Sequence, residues 1–332
     1  MNSGDCFTAK CAVFTLYEKS YHLGVAAVIN SLVRSEFSGT IFVGYRDELP
    51  PWRDQLESAE HDSFRLDGCE IRFFKCDPNR HLGDHKPFVA RELLATNPDT
   101  SALFYADPDI TFIAPWKFFE EWVSCGVALC ADSNFPRVSL NHPWRCKWAE
   151  LIAAAGLEVT NRLEDYPNSG FFGIRRQDGA FLDRWIDLTE AFERQGGNTR
   201  TFTLSERTES ITGDQDLMAA TMMTYSGPVS FLGQEAMRFT GHYFILSHAI
   251  ESPKPWNKKF LLQALKGSRP SLRVAFSFAT RTLPFEQVHR AGSMCVGASI
   301  TPAQNSSAAL RDECRVAGLV APVPPGLTTR LL

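Results

Sequence analysis

Short apolar runs alternate with longer amphipathic stretches over the first half of the chain. The short runs have the length of strands, and the longer stretches carry apolar residues at helical spacing. Alternation of this kind is typical of βα units, which build a mostly parallel sheet flanked by helices. The predicted strands are residues 11–16, 40–45, 70–74 and 102–106, and the predicted helices are residues 23–32, 52–59 and 88–95.

The second half of the chain continues this pattern less regularly. Its predicted strands are residues 126–130, 171–174, 229–232 and 243–247, and its predicted helices are residues 116–124, 144–155, 181–192 and 217–224. A polar, glycine-containing segment at 195–207 is expected to be a loop or lid. Residues 284–332 are rich in Gly, Ala, Ser and Pro with weak periodicity, so we expect a loosely packed tail there.

Two carboxylates directly follow the predicted strand at 102–106. Asp107 and Asp109 are separated only by Pro108. In an open α/β sheet, ligands bind beyond the carboxyl ends of the strands, and paired carboxylates suit a divalent cation such as Mg²⁺ or Mn²⁺. The alternative is that this Asp-Pro-Asp segment is only a turn or a helix cap.

A later segment supplies further candidates for the same site. An apolar run ends at His248, and Lys254 follows with a proline on each side. His248 is a candidate third ligand through an imidazole nitrogen, and Lys254 is a candidate partner for a diphosphate bridged by the cation. The alternative is that His248 satisfies a strand end and Lys254 is a solvated loop cation.

The composition restricts the class of protein. Hydrophobic residues make up 44%, charged residues 22% and the net charge is −4, so neither disorder nor a general affinity for nucleic acid is expected. Nine cysteines without a Cys-x-x-Cys pair predict reduced thiols rather than disulfides or structural zinc. The chain start lacks a signal-peptide pattern and no uncharged apolar stretch reaches roughly 18 residues, so we expect a cytoplasmic protein.

Four sequence blocks occur in a fixed order that is more specific than any one of them. The blocks are Asp107-x-Asp109, Tyr-Pro-Asn-Ser-Gly-Phe-Phe at 166–172, Gly-Asp-Gln-Asp-Leu at 213–217, and His248 followed by Lys254-Pro255-Trp256. Together they resemble glycosyltransferase family 8 over about residues 11–265. The resemblance implies an α/β protein with the A-type glycosyltransferase (nucleotide-diphospho-sugar transferase) fold, a central mostly parallel twisted sheet flanked by helices.

The resemblance also implies a domain organisation and an activity. We expect a single glycosyltransferase domain at 1–283, with a nucleotide-binding half at about 11–131 and a donor-sugar and acceptor half at about 132–265. The expected activity is metal-dependent transfer of a hexose from a nucleotide diphosphate sugar, UDP-glucose or UDP-galactose, to a carbohydrate or glycolipid acceptor. Members of the family retain the anomeric configuration, although no residue stands out here as a covalent nucleophile.

The family pattern assigns roles to particular residues. Asp107, Asp109 and His248 would hold Mn²⁺ or Mg²⁺, and Asp214, Gln215 and Lys254 would be catalytic. The implied donor-binding residues are Thr15, Leu16, Tyr17, Tyr21, Lys86, Asp107, Asn168, Ser169, Asp214, Gln215, Lys254 and Trp256.

Several of these residues also have a structural interpretation. Tyr17 and Tyr21 either stack on the nucleotide base or pack against the edge of a helix. Acidic residues at 214–216 are favourable in a first helical turn whether or not they bind a sugar. Arg91 is an alternative to Lys86 as the basic residue near the donor, because the spacing from Lys86 to the Asp pair is long.

Glu251 departs from the family pattern, which usually has Gly three residues after the His. A carboxylate beside a diphosphate is unfavourable unless it turns away or binds a cation or the acceptor. A non-catalytic module that binds a nucleotide sugar or a glycan is therefore the alternative function. A sugar-phosphate nucleotidyltransferase is disfavoured, because 15–24 lacks a glycine-rich phosphate loop.

A basic, partly apolar segment follows the Lys254 loop. Its cations either contact an anionic membrane or glycolipid, which would make the protein peripheral at the membrane, or lie on a solvated helix face. The residues are Lys258, Lys259, Lys266, Arg269 and Arg273.

Overall fold

The computed structural model describes residues 10–60, 63–201, 211, 213–240 and 244–258. Eleven strands lie in these residues. They are β1 (Cys11–Tyr17), β2 (Thr40–Tyr45), β3 (Glu57–Ser58), β4 (Ser63–Leu66), β5 (Cys69–Lys75), β6 (Ala102–Ala106), β7 (Ile110–Phe112), β8 (Val127–Ala131), β9 (Pro167–Arg175), β10 (Val229–Leu232) and β11 (Leu246–His248).

Nine of these strands form the central sheet, in the order β10-β8-β9-β6-β1-β2-β5-β4-β3. Strands β1, β2, β5 and β6 are mutually parallel, as are β8 and β10. Strand β9 lies between β6 and β8 and is antiparallel to both, so β8 has the same direction as β6. The start of β9 therefore lies at the sheet edge where β6 and β8 end.

Six helices of the described residues cover both faces of this sheet. They are α1 (His22–Arg34), α2 (Leu82–Thr96), α3 (Trp116–Ser124), α4 (Pro143–Ala154), α5 (Ala180–Arg194) and α6 (Asp214–Thr224). Alternate residues of β1 point to opposite faces: Val13 joins a core with α1 and α3, and Phe14 joins a core with the other four helices. The predicted α/β architecture with a mostly parallel sheet is confirmed.

Most predicted elements are confirmed within a few residues. Helix α2 begins earlier than predicted, at Leu82. The prediction started the helix after Pro87, but this proline lies inside the helix. Strand β9 also begins earlier than predicted, at Pro167. The prediction missed its first residues because they are polar and have no strand-like pattern.

The helix predicted at 52–59 is wrong. Only Trp52 and Leu56 are buried there, which is too little apolar surface to hold a helix. The chain instead makes a single 3₁₀ turn at Arg53–Gln55 and enters β3. Strand β3 pairs with β4, which was not predicted, and β4 pairs with β5 across an Asp67-Gly68 turn with positive φ at both residues.

A second, two-stranded ribbon stands apart from the central sheet. Strands β7 and β11 are antiparallel, with His248 opposite Ile110. The strand predicted at 243–247 therefore begins later, at Leu246, and includes His248; residue 243 lies outside the described residues. The ribbon connects the segment after β6 with a segment far along the chain.

Some predictions fall outside the described residues. These are the tail at 284–332, residues 202–207 of the predicted lid, and most of the basic segment after Lys258. Residues 195–201 follow α5 as irregular chain. Of the helices that the described residues form, none has both the length and the apolar character needed to cross a bilayer.

Candidate active site at the carboxyl edge of the sheet

The site begins where β6 ends. Asp107 follows the last residue of this strand, and its backbone N–H donates to the carbonyl of Gly170 in the neighbouring β9 (2.8 Å). Because β9 is antiparallel to β6, the Asn168-Ser169-Gly170 segment lies beside the Asp pair. The topology thus brings together two of the four blocks predicted from the sequence.

The β7–β11 ribbon places His248 against Asp109. Its register sets His248 opposite Ile110, and the N–H of Ala249 donates to the carbonyl of Asp109 (2.9 Å). One ligand atom from each of Asp107, Asp109 and His248 lies within 4.8 Å of the others.

The chemistry of this donor set fits a divalent cation. Two carboxylates and one imidazole supply oxygen and nitrogen ligands, which suit Mn²⁺ or Mg²⁺. Nδ1 of His248 is buried and makes no hydrogen bond to any described residue. The three predicted metal ligands are therefore assembled at one point, and the identity of the metal stays a prediction.

Gly170 makes this close packing possible. A Cβ added at this position would lie 2.6 Å from Cε1 of His248, 2.8 Å from Oδ1 of Asn168 and 3.0 Å from Oδ2 of Asp107. Separations below 3 Å are incompatible with a side chain unless a neighbour moves. A larger residue here would therefore displace side chains of the candidate cation site.

Lys254 reaches the same carboxylate from the opposite side. Its Nζ lies 2.5 Å from Oδ2 of Asp109 and 3.0 Å from the carbonyl of Ala249, while Nε2 of His248 lies 3.2 Å from Oδ1 of Asp109. Burial would raise the pKa of Asp109, but its contacts with His248 and Lys254 outweigh burial and lower that pKa. Burial would lower the pKa of Lys254, but Asp109 raises it. Both groups are therefore charged at neutral pH.

Lys86 is the centre of a second, deeper cluster. Its Nζ donates to Oδ2 of Asp214 (2.7 Å) and to the carbonyl of Ser169 (2.9 Å), and it lies 3.2 Å from Oδ1 of Asp107. Burial would lower the pKa of Lys86, but the two carboxylates raise it. The alternative cation, Arg91, instead pairs with Asp183 at the surface.

The polar residues in the first turn of α6 face two different environments. Asp214 joins the Lys86 cluster, and Oε1 of Gln215 accepts a hydrogen bond from the N–H of Ser169 (3.4 Å). Asp216 accepts a hydrogen bond from the hydroxyl of Tyr166 (2.6 Å), within the buried core. Asp214 and Gln215 therefore lie at the site, whereas Asp216 fixes the helix to the strand β9 region.

The predicted donor-binding residues near β1 occupy different environments. Thr15, Leu16 and Tyr17 are all buried, and the hydroxyl of Tyr17 donates to the carbonyl of Glu48 (2.8 Å). This environment favours the packing interpretation of Tyr17. Tyr21 is half-buried and packs edge-on against Trp256, with ring centroids 5.0 Å apart.

Gly24 explains how Trp256 comes near the Asp pair. A Cβ at Gly24 would lie 2.9 Å from Cζ3 of Trp256 and would overlap the carbonyl of Pro108. Helix α1 can therefore approach the Asp-Pro-Asp turn only with glycine here. Tyr21, Trp256 and Lys254 consequently form one wall beside the candidate cation site.

Sequence reasoning missed two residues of the site. The hydroxyl of Tyr105 donates to Oδ1 of Asp107 (2.5 Å), and Oδ2 of Asp132 accepts from Nδ2 of Asn168 (3.3 Å). Asp132 directly follows β8, so the strand-end rule that selected Asp107 applies to it equally. Tyr105 had no such signal, since its pattern was that of a buried strand residue.

Asp84 is a buried carboxyl in the first turn of α2. Burial and the nearby charge of Asp214 raise its pKa to about 8. His81 caps the same helix, accepting through Nδ1 from the N–H of Gly83 (3.1 Å). Neither residue was singled out from the sequence.

Glu251 turns toward a cation of its own loop. Its Oε2 lies 2.7 Å from Nζ of Lys258, whose side chain is 10% exposed. This pairing offsets the charge that made Glu251 unfavourable beside a diphosphate. It also assigns a local partner to Lys258, the one member of the basic segment within the described residues.

Comparisons with known proteins show the fold and nothing finer. No family model matches the sequence, and no curated protein matches it. Among solved structures, the chain is similar to the glycosyltransferase GlyE of Streptococcus pneumoniae TIGR4, with a TM-score of 0.51 and 14% identity. The match covers 85% of this chain and 62% of that one, so this chain spans less than two thirds of GlyE. The mixed α/β sheet with its flanking helices is thus a fold that a glycosyltransferase also has.

Proposed function

We propose that this chain is a divalent-metal-dependent glycosyltransferase. It moves a hexose from a nucleotide diphosphate sugar, UDP-glucose or UDP-galactose, to a carbohydrate or glycolipid acceptor. The observation that carries the proposal is the convergence of Asp107, Asp109, His248, Lys254 and Asp214 at the carboxyl edge of the sheet. These residues come from three separate segments, and no packing requirement of a core explains such a concentration of buried and partly buried charge.

The similarity of the fold to a glycosyltransferase structure supports this proposal. The ordered sequence blocks resemble family 8, and we place the chain near that family as part of the proposal. Retention of configuration comes only from this resemblance. The match covers only 62% of GlyE, so the proposal does not extend to activities that depend on the remainder of GlyE.

On the leaving-group side, Asp107, Asp109 and His248 would hold Mn²⁺ or Mg²⁺. A bound cation supplies positive charge that stabilises the departing nucleoside diphosphate. Lys254, at the rim of the same site, is placed to donate to a phosphate oxygen. Its charge opposes the negative charge that develops on the leaving group.

On the sugar side, Asp214 remains ionised. Burial would raise the pKa of Asp214, but Lys86 lowers it. An ionised carboxylate accepts hydrogen bonds from sugar hydroxyls, and Asn168 and Gln215 add amide groups beside it. Lys86 orients Asp214 and Asp107 together, so the sugar-binding and metal-binding groups share one fixed frame.

The base of the nucleotide is expected near Tyr21 and Trp256, because aromatic faces bind bases by stacking. Tyr17 would support this wall from within the core, as do Thr15 and Leu16. The proposed acceptor is a carbohydrate or glycolipid, as the sequence resemblance implies. A peripheral contact with a membrane stays part of the proposal only through the basic segment after Lys254, most of which lies outside the described residues.

Direct measurement of donor binding and turnover tests the proposal. Purified full-length protein is incubated with a panel of nucleotide sugars, with Mn²⁺ or with chelator, and both the unfolding temperature and the release of nucleoside diphosphate are recorded. We expect a UDP-hexose to raise the unfolding temperature and to be hydrolysed slowly, in each case only with the cation. Asp109→Asn removes a metal ligand with little change of shape and should abolish the hydrolysis.

Two results would contradict the proposal. Protein that neither binds nor hydrolyses any nucleotide sugar with Mn²⁺ is not a transferase of this class. Cation-dependent binding without turnover, even with a broad panel of acceptor sugars, would favour the non-catalytic binding module.

A further inference from the structure

Both oxygens of Asp109 already have a nitrogen partner from the chain itself. Nε2 of His248 lies 3.2 Å from Oδ1, and Nζ of Lys254 lies 2.5 Å from Oδ2. Lys254 is held in this position by the carbonyl of Ala249, 3.0 Å from the same Nζ. Any cation that binds Asp109 must therefore coordinate an oxygen that already contacts a nitrogen of His248 or Lys254.

Lys254 covers Asp109 from the solvent side. The side chain of Asp109 is 6% exposed, whereas that of Lys254 is 20% exposed. A divalent cation that arrives alone approaches a carboxylate already paired with an ammonium group, and the two positive charges repel each other at short range. Displaced from Asp109, the ammonium would lose its charged partner without gaining another.

Asp107 differs in this respect. Its described partners, Lys86 and Tyr105, both contact Oδ1, which leaves Oδ2 facing Gly170 and the site. Among the described residues, Lys254 therefore occupies Oδ2 of Asp109, whereas Oδ2 of Asp107 has no lysine beside it. The obstacle to a lone cation is located at this one residue.

A nucleoside diphosphate would remove the obstacle, because its phosphates offer Lys254 a new acceptor. We propose that Lys254 guards Asp109 against a cation that arrives without a diphosphate, and that it moves to the diphosphate when both ligands bind. This inference rests on the proposed function only for the class of ligand. It assigns Lys254 two partners in succession, Asp109 first and a phosphate oxygen second.

This exchange couples the two ligands. Each ligand must then increase the affinity for the other by the same factor, because binding free energies are reciprocal. Removing the charge of Lys254 has opposite effects on the two: the cation alone binds more tightly, and the diphosphate binds less tightly. A lysine that met only the diphosphate, without contact to Asp109, would have little effect on the binding of the cation alone.

The test is a titration of full-length protein with Mn²⁺, with free Mn²⁺ followed by electron paramagnetic resonance, in the absence and presence of UDP. For Lys254→Met we expect affinity for Mn²⁺ alone to rise by roughly tenfold, and the increase caused by UDP to shrink by a similar factor. Lys254→Arg keeps the charge and should bind Mn²⁺ alone as weakly as the wild type. Lys258→Met is the matched control, because this lysine belongs to the same loop but pairs with Glu251; it should leave the affinity for Mn²⁺ alone unchanged.

The inference is overturned if folded Lys254→Met binds Mn²⁺ alone no more tightly than the wild type, with folding checked by circular dichroism. It is also overturned if UDP and Mn²⁺ bind the wild type independently, a result that needs no variant. Turnover enters neither measurement. Coupling without turnover on any acceptor would therefore refute the proposed enzyme and leave this inference standing.

Discussion

Two lysines meet the carboxylates of this site, and they are embedded very differently. Lys86 lies on α2, its side chain is 4% exposed, and it contacts Asp107, Asp214 and the Ser169 carbonyl. Lys254 lies in a loop after β11, is 20% exposed, and contacts Asp109 and the Ala249 carbonyl. The inner lysine joins α2 to the end of β6, to β9 and to α6, whereas the outer one joins only its own loop to the turn after β6. The same residue type thus serves as a frame in one cluster and as an exchangeable partner in the other.

The largest expected effect is on the inner cluster. Lys86→Met would leave the buried Asp214 and the partly buried Asp107 without their shared cation, and we expect a loss of about 3–5 kcal/mol in the free energy of unfolding. Urea unfolding at neutral pH measures it. Lys254→Met, whose carboxylate keeps His248, should lose clearly less. Equal losses in the two variants would refute the distinction between frame and exchangeable partner.

Gly170→Ala tests the space between the two clusters. The added Cβ would press on His248, Asn168 and Asp107, and we expect a loss of about 1–3 kcal/mol in stability. Misplacing these ligands should also weaken Mn²⁺ binding in the presence of UDP by roughly 10–100-fold. Gly156→Ala is a control with open space around it, although its positive φ carries a local cost. Unchanged Mn²⁺ affinity in Gly170→Ala would show that the cation does not bind there.

Tyr166→Phe tests whether Asp216 has a structural role that is separate from the role of Asp214 in the same helical turn. The variant removes the hydroxyl that donates to Asp216, and we expect a loss of about 1–3 kcal/mol in stability. Affinity for UDP with Mn²⁺ should stay within about twofold, because the lost hydrogen bond is made to Asp216 and not to a predicted metal or phosphate ligand. A large loss of UDP affinity in a variant that remains folded would place Asp216 in the binding machinery.

The last expected effect is a pH dependence beside the inner cluster. The pKa of Asp84 is raised to about 8 from an ordinary value near 4, so the folded protein keeps a proton there that the unfolded chain releases. Stability from this group therefore falls as pH rises from about 4 to about 8. Asp84→Asn should become more stable relative to the wild type across that window, as measured by urea unfolding at several pH values. Parallel stability curves for the two proteins would contradict the raised pKa.

The sequence predicted the elements best where one period dominates. Strands 102–106 and 229–232 and helix 116–124 have the predicted bounds, because their apolar patterns are unbroken. The failure at 52–59 came from too small an apolar face, since only Trp52 and Leu56 are buried there. The missed strand β4 had an Asp67-Gly68 turn signal that was available and unused.

For the site, the most useful prediction came from the rule that ligands bind beyond the carboxyl ends of strands. This rule found Asp107 and would have found Asp132. The contact of Lys86 with Asp107 and Asp214 could not be predicted, because it depends on how α2 lies over the sheet. The partner of Glu251 was likewise invisible, since nothing in the pattern distinguishes Lys258 from its basic neighbours.

The β7–β11 ribbon has a consequence for how the protein is made. Asp109 and Lys254 are separated by 145 positions, so the charge pair can form only after nearly all of the described chain has been synthesised. Contacts of such long range close late and slowly, because the intervening chain must first lose its conformational freedom. The cation site is therefore absent from any nascent chain that ends before His248. Binding of a cation at this candidate site would therefore report that the segment with His248 and Lys254 has docked against the turn after β6.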